Sequence, residues 1–412
     1  MYVRYDARVT AHVVDARPLP QRADVVVVGG GAVGVSAAYH LAQAGAGSVV
    51  LLEREAALGT GSTGRCAGGF RHQFSSEVNV RLSQASIPLI MGFSETHGLP
   101  LDVVQDGYLF LVRDEPTWAT YRAAAGLQRR LGVAVELLDA AEVSGVVPGL
   151  ATDGLIGATW CAQDGIADPS GLTLGYATAA RRAGATVLTG IGVTRIVGAA
   201  GRVTAVETDR GTVATGVVVN AAGPWAGLLA RTVGVELPLE PIPRVVLVTD
   251  AFPGAPTRRT LVVDAATSFY FHREGGGVLM GMGDPAEQPS FETRVDERFV
   301  AEGLLPTAVR VFPALAEAAI AHRWAGLYEM TPDRHPIIGR VEGLDGLLLA
   351  NGFSGHGFQH APIVGQLLAE IVVDGAARTV DISSLGLDRF APGGAATATA
   401  ATAVGLVEGH VV

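Results

Sequence analysis

Two glycine-rich stretches far apart in the chain hold the residue types best suited to chemistry. VVVVGGGAVG (Val25–Gly34) stands near the N-terminus, and GFSGHGFQHAP (Gly352–Pro362) comes more than three hundred residues later. The first has the spacing Gly29-x-Gly31-x-x-Gly34. Glycine at these places permits a tight turn, lets the backbone approach a diphosphate and lets a helix pack closely on a strand. The second gathers Gly352, Gly355 and Gly357 around His356, just before an apolar run. A loop opening into a helix in this way sets backbone amides and positive dipole against a group that gains negative charge. The late loop therefore serves either a second phosphate or a different part of the ligand held by the first.

The elements that must position these loops are visible around them. Ala23–Glu55 lays out as a strand, the glycine turn, a small-residue helix opened by Ala32 and Val33, and a second strand ending in Glu53 and Arg54. Glu53 is placed to accept hydrogen bonds from ribose hydroxyls and to repel a 2′-phosphate, so the whole unit reads as a dinucleotide site. After Gly357, Ile363, Val364, Leu367, Leu368, Ile371 and Val372 recur at helical spacing, and Pro362 is expected in the first turn. Further helices are expected at about 77–92, 116–132 and 170–184. Short β-branched runs fill 186–220, and alternating ones over 244–282 suggest an antiparallel sheet. VVVNAAGPWAG (Val217–Gly227) reads as a strand followed by a helix. Its Ala222, Gly223 and Trp225 either leave room for a ligand over the sheet or simply pack strand on helix.

The predicted fold class is α/β plus α+β: a Rossmann-type nucleotide domain, discontinuous in sequence, with an inserted antiparallel β-sheet domain. The expected partition is an N-terminal extension (1–22), a nucleotide domain (23–85, 150–236 and 324–390), a substrate domain (86–149 and 237–323) and a low-complexity tail (391–412). A chain of 412 residues, 49% apolar and 17% charged, can bury a large core. Its net charge of −10, without a basic cluster, argues against nucleic acid as a partner. Cys66 and Cys161 are the only cysteines, too few for a disulfide framework and without metal-ligand spacing, so no metal is expected. No run is long and apolar enough for a membrane helix, and the N-terminus has no apolar signal core. A cytoplasmic protein is the expectation.

Five segments in order carry a resemblance: GGGAVG…LLERE, STGRCAGGFRH, NAAGPWAG, GLYEMTPDRHPIIG and GFSGHGFQHAP. Over about residues 23–375 the chain resembles the D-amino-acid oxidase/sarcosine oxidase superfamily, above all its sarcosine oxidase β-subunit-like and proline dehydrogenase-like members. The resemblance implies a glutathione-reductase-type FAD domain, with the early loop on the diphosphate and the late loop, including Phe353, Ser354 and Phe358, on the isoalloxazine. It also implies cofactor contacts from Ser62, Thr63, Arg65, Cys66, Ala67, Gly68 and Gly339. Arg71 falls where sarcosine-oxidase-like proteins carry a carboxylate-binding arginine; a structural arginine is the alternative. Guanidinium suits that task because it grips carboxylate with two bonds and stays charged when buried.

His356 would tune the flavin or position the amine, unless it is structural. Tyr270 and His272 share one face of a predicted strand and either line the substrate pocket or pack the sheet. Tyr328 stands where glycine-oxidase-like relatives carry arginine, which disfavours that activity and D-amino-acid oxidation. Leu279 and Gln359 stand where fast oxidases carry lysines, and Gly326 where they carry a flavin-tethering cysteine. Non-covalent FAD is expected, with a Cys66 tether the minor alternative.

The expected reaction is oxidation of a secondary amine or amino acid to an imine, with hydride passing to flavin N5, by a dehydrogenase rather than a fast oxidase. The electron acceptor (oxygen, a quinone or an electron-transfer protein) and a homo- or hetero-oligomeric state stay open. Two alternatives are a flavin-dependent 2-hydroxy acid dehydrogenase, with His272 or His356 as base, and an electron-transfer subunit of a larger complex.

Overall fold

The computed structural model describes residues 17–391. All but the first residue of the tail expected at 391–412, and most of the N-terminal extension, lie outside the described residues. Four consecutive valines, Val25–Val28, form a fully buried strand, as a β-branched run flanked by parallel neighbours should. It pairs in parallel with Val217–Asn220 on one side and Val49–Leu52 on the other. Leu344–Asn351 and Thr186–Leu188 extend the parallel core outward. Hairpins over Val193–Ala214 and Ile337–Asn351 complete a nine-stranded sheet among the described residues. Arg22 bridges to Ala214, so residues just before the first strand already join this sheet.

Odd valines of the first strand face a core shared with the helices Ala32–Gln43, Glu77–Met91, Pro169–Arg182 and Gly357–Val373. Even valines face a second core closed by Ala226–Arg231 and the Val193–Ala214 strands. Three of these helices match the expectations at 77–92, 170–184 and after Gly357. Glu115–Arg130 matches the fourth, capped by the Asp114 side chain.

An eight-stranded sheet forms the second layer, in the order Ile320–Met330, Glu240–Thr249, Gly277–Met282, Phe269–Glu274, Leu261–Asp264, Tyr108–Val112, Gly157–Cys161 and Glu136–Leu138. It is antiparallel except where Leu261–Asp264 runs parallel to Tyr108–Val112. Gly157–Cys161 and Ile320–Met330 belong to this sheet, which interleaves the two layers more finely than the sequence partition. The alternation read from the sequence is present: Phe269 and Phe271 enter one core, Tyr270 the other.

Pro362 departs from expectation. The helix begins at Gly357, so Pro362 is its sixth residue, beyond the first turn. Gly357, Phe358 and Gln359 are already helical, and His360 N–H donates to the His356 carbonyl at 3.2 Å. The proline leaves the Phe358 carbonyl without its helical donor.

Candidate functional site

One cavity of about 650 Å³ runs between the two layers and joins both glycine loops. Its walls begin at Gly29–Val33 and reach Phe353, Gly355, Gly357 and Phe358 at the other end. The early loop is backbone-tight. A Cβ on Gly29 (φ +108°) would lie 2.3 Å from the Ala221 carbonyl oxygen, and one on Gly34 would lie 1.9 Å from the Gly29 carbonyl oxygen. Glycine is required at both places, one by conformation and approach, the other by helix–strand contact. Glu53 closes the turn: Oε2 accepts the Gly30 amide at 2.6 Å and Oε1 the Glu55 amide at 2.8 Å. Burial raises its pKa, against those two hydrogen bonds. Beside it the Arg54 guanidinium stacks over Trp225 at 3.7 Å, and Trp225 stacks on Phe291.

The middle of the cavity is formed by the turn Thr63–Arg65 fastened to strand Ile320–Met330. Ser62 Oγ donates to the Leu327 carbonyl at 2.6 Å, Arg65 Nη1 to that of Ala325 at 2.8 Å, and Trp324 Nε1 to that of Arg65 at 3.0 Å. Thr63 Oγ1 accepts the Ala32 amide at 3.2 Å. Gly326 leaves space that Arg65 fills, since a Cβ there would come 3.0 Å from the Arg65 Cβ. Cys66 borders the cavity with Sγ donating to the Thr63 carbonyl at 3.1 Å, and burial pushes its thiol up to about 11. Ala67 and Gly68 lie behind this wall, and Gly339 sits in a strand away from it. Gly352, Ser354 and His356 support the late loop while their neighbours line it. Both cysteines are free.

Beyond the late loop lies a buried cluster around Arg71, which is 3% exposed. Its amide donates to Gln359 Oε1 at 2.6 Å, its Nη1 donates to the Gln73 carbonyl, and its guanidinium lies 4.0 Å from the centre of the Phe74 ring. Phe74 also meets His356 edge-on, 4.8 Å between ring centres. His360, one helical turn on, is pushed down to about 3 by burial and then by the Arg71 charge, so it is neutral. Tyr328 lines the cavity, and Tyr270 and Tyr108 lie close by; burial raises all three phenols, keeping them protonated donors. His272 points both ring nitrogens at backbone carbonyls, Arg273 at 2.8 Å and Ala67 at 3.1 Å, and burial lowers its pKa.

Sequence reasoning missed three residues here. Glu329 lines the cavity, Arg244 stands beside Tyr328, and Phe291 backs Trp225. Each arrives from a strand or loop whose register no local pattern reveals. It also missed a buried trio, His72, Cys161 and Asp164, whose ligand-type atoms lie within 4.8 Å of one another. Asp164 Oδ1 accepts from the His72 amide and faces its Nδ1, both at 2.8 Å, while Oδ2 accepts from Gln73. Burial raises the Cys161 thiol, which disfavours the thiolate a metal would take.

Residues 24–371 match the family described as DAO, FAD dependent oxidoreductase. The chain belongs to that family. It is 32% identical to mouse (Mus musculus) mitochondrial sarcosine dehydrogenase over 91% of its own length, and spans 42% of that protein. It is 31% identical to FAD-dependent oxidoreductase domain-containing protein 1 of Xenopus laevis, covering 90% of this chain and 83% of that one. Among solved structures, L-proline dehydrogenase from P. horikoshii superposes with a TM-score of 0.85 at 34% identity, covering 91% of this chain and 100% of that one. The residues present fit the family's cofactor. The backbone-tight glycine cradle, the Glu53 carboxylate and a continuous cavity to the late loop match a long dinucleotide with a ring at its far end.

Proposed function

We propose that this chain oxidises a secondary amine or amino acid to an imine with non-covalently bound FAD, as a dehydrogenase more than a fast oxidase. The buried Arg71 guanidinium beyond the late-loop end of the cavity carries this reading. It donates to the Gln73 carbonyl and lies over the Phe74 ring, and its charge reaches Tyr328. When bound, FAD supplies the acceptor for hydride removal from the C–H beside nitrogen.

The chain's own work is positioning. Arg71 grips a carboxylate, and the protonated phenols of Tyr328 and Tyr270 offer donors without competing for the amine proton. The Gly357–Val373 helix start sets amides and positive dipole at the ring end. Non-covalent binding is supported by Gly326, which has no side chain to attach, and by the protonated Cys66. The buried Leu279 puts an apolar side chain where fast oxidases of this kind carry lysine, which supports slow reaction with oxygen. The early-loop sheet is read as the FAD domain and the eight-stranded sheet as the substrate domain. Among the described residues no helix is long and apolar enough to cross a membrane; a cytoplasmic location is the accompanying proposal.

The 2-hydroxy acid alternative loses one of its two candidate bases, because His272 has both ring nitrogens directed at carbonyls, which leaves it His356 alone. The test is anaerobic bleaching of the flavin band by sarcosine, proline and D-amino acids, repeated in air. Bleaching by an amine with slow reoxidation is expected. Bleaching by 2-hydroxy acids alone would refute the amine reading.

A further inference from the structure

A second guanidinium occupies the sheet face that carries Tyr328. Arg244 lies opposite Gly326 in the ladder between Glu240–Thr249 and Ile320–Met330, and Ile242 lies opposite Tyr328. Strand alternation therefore puts Arg244, Gly326 and Tyr328 on one face. The Arg244 Cζ stands 5.5 Å from the centre of the Tyr328 ring. Gly283 gives it room, because a Cβ there would come 3.1 Å from its Nε. Its Nη1 donates to the Pro243 carbonyl at 3.0 Å, but among the described residues no carboxylate lies within 4.0 Å of it. Glu287 and Asp284 feel its charge from further away.

Arg334, in the following turn with its backbone left-handed at φ 60°, is near enough to feel the Arg244 charge. Burial lowers the pKa of both arginines, and the charge of Arg244 lowers that of Arg334 further. A half-buried guanidinium with no carboxylate in reach, beside an aromatic wall of the cavity, is stabilised by an anion, and Arg244 is such a group. One carboxylate needs one guanidinium fork, and Arg71, whose charge also reaches Tyr328, provides it.

We propose that the substrate is a dicarboxylic amine, its amino-acid carboxylate held by Arg71 and its second carboxylate by Arg244 with Arg334 beside it. The inference rests on the amine reading above and names its substrate class. It also gives a role to Tyr328, which feels the charge of both guanidinium groups and would stand beside the bound substrate.

The test uses the FAD-loaded protein and two unreactive thioethers that replace the amine nitrogen with sulfur: methylthioacetate, with one carboxylate, and thiodiacetate, with two. Binding is read by perturbation of the flavin spectrum and by titration calorimetry. The dianion is expected to bind at least tenfold more tightly than the monoanion in the wild type, and Arg244→Gln is expected to bring that ratio close to one. Arg334→Gln is expected to reduce it by a smaller factor. Equal binding of the two thioethers by the wild type, which requires no variant, overturns the inference. So does a ratio that survives Arg244→Gln, which would assign Arg244 to the Glu287 loop. If neither thioether binds and no amine bleaches the flavin, the amine reading fails as well. If a monocarboxylic amine bleaches it and the dianion has no advantage, only the present inference fails.

Discussion

Glu329 enters the cavity from Ile320–Met330 with Oε1 accepting the Phe353 amide at 3.4 Å and Oε2 buried without a hydrogen-bond partner. Burial, opposed by the amides of Gly352 and Phe353, pushes the carboxyl from an ordinary 4.5 up to about 7. The folded chain therefore holds this proton at pH values where the unfolded chain has released it. The contribution to stability is full below about pH 4.5 and is lost as pH rises through 7. Glu329→Gln keeps the shape and removes the titration. Its stability should match the wild type near pH 4.5 and exceed it at pH 8, by on the order of 2 kcal/mol once solvent in the cavity is allowed for. Thermal unfolding of both proteins across that range checks it, and parallel pH profiles would show that the carboxyl does not titrate in the window. Glu329 and Arg244 had no signature in the sequence. Both depend on the ladder between strands some eighty residues apart, whose register is fixed by tertiary packing. The reading of Arg71 as a carboxylate anchor came only from the resemblance, since a lone arginine among glycines and aromatics has no spacing of its own.

The helices Ala32–Gln43 and Gly357–Val373 open at the two glycine loops and cross at Gly365. A Cβ on Gly365 would lie 2.2 Å from Ser36 Oγ, 2.5 Å from the Ser36 carbonyl carbon and 2.8 Å from the Ala37 amide nitrogen. The hydroxyl could rotate away, but the backbone atoms could not, so the helices must separate. Gly365→Ala should therefore destabilise the protein by about 1–3 kcal/mol, the usual range for overpacking, although alanine is the better helix former. Because each helix carries one of the glycine loops, the same variant should weaken FAD binding, read as a raised dissociation constant by flavin fluorescence. Unchanged unfolding and FAD affinity would mean that the contact relaxes without moving either loop. At this scale much was legible: strand, turn, helix and strand of the first unit are local and follow from period and glycine spacing. The late helix was legible as an apolar stripe, but its start was not. Gly357, which read as loop, already belongs to the first turn, where the packing of Phe358 and Gln359 outweighs glycine's poor helix propensity. The parallel pairing of Leu261–Asp264 with Tyr108–Val112 was equally hidden, since the strands are far apart in the chain and each looks like any buried run.

The cavity belongs to neither sheet alone. Gly29–Val33 and Ala222–Trp225 come from the nine-stranded layer and Leu327–Glu329 from the eight-stranded one, so a molecule filling it contacts both. The direct fastening between the layers here includes bonds from Ser62, Arg65 and Trp324, and from the Phe353 and Ser354 amides to Glu329. A ligand bridging the same seam adds its binding free energy to the folded state and not to the unfolded one, so stability must depend on free FAD. At a hundredfold excess over the dissociation constant the gain is about 2.7 kcal/mol. For a chain of this length the unfolding entropy is about 0.9 kcal/mol per kelvin, which converts that gain to a rise of about 3 °C, repeated for each further hundredfold of FAD. Differential scanning fluorimetry of the acid-stripped, refolded protein over a range of FAD concentrations measures the slope. The denatured holoprotein should also release all its flavin to the supernatant, because Gly326 offers no attachment atom and Cys66 keeps its proton to about pH 11. Flavin that stays with the precipitated chain would show a covalent bond. An unfolding temperature indifferent to free FAD would show that the two layers are held together without it, and that the cavity between them is not where the cofactor's binding energy is realised.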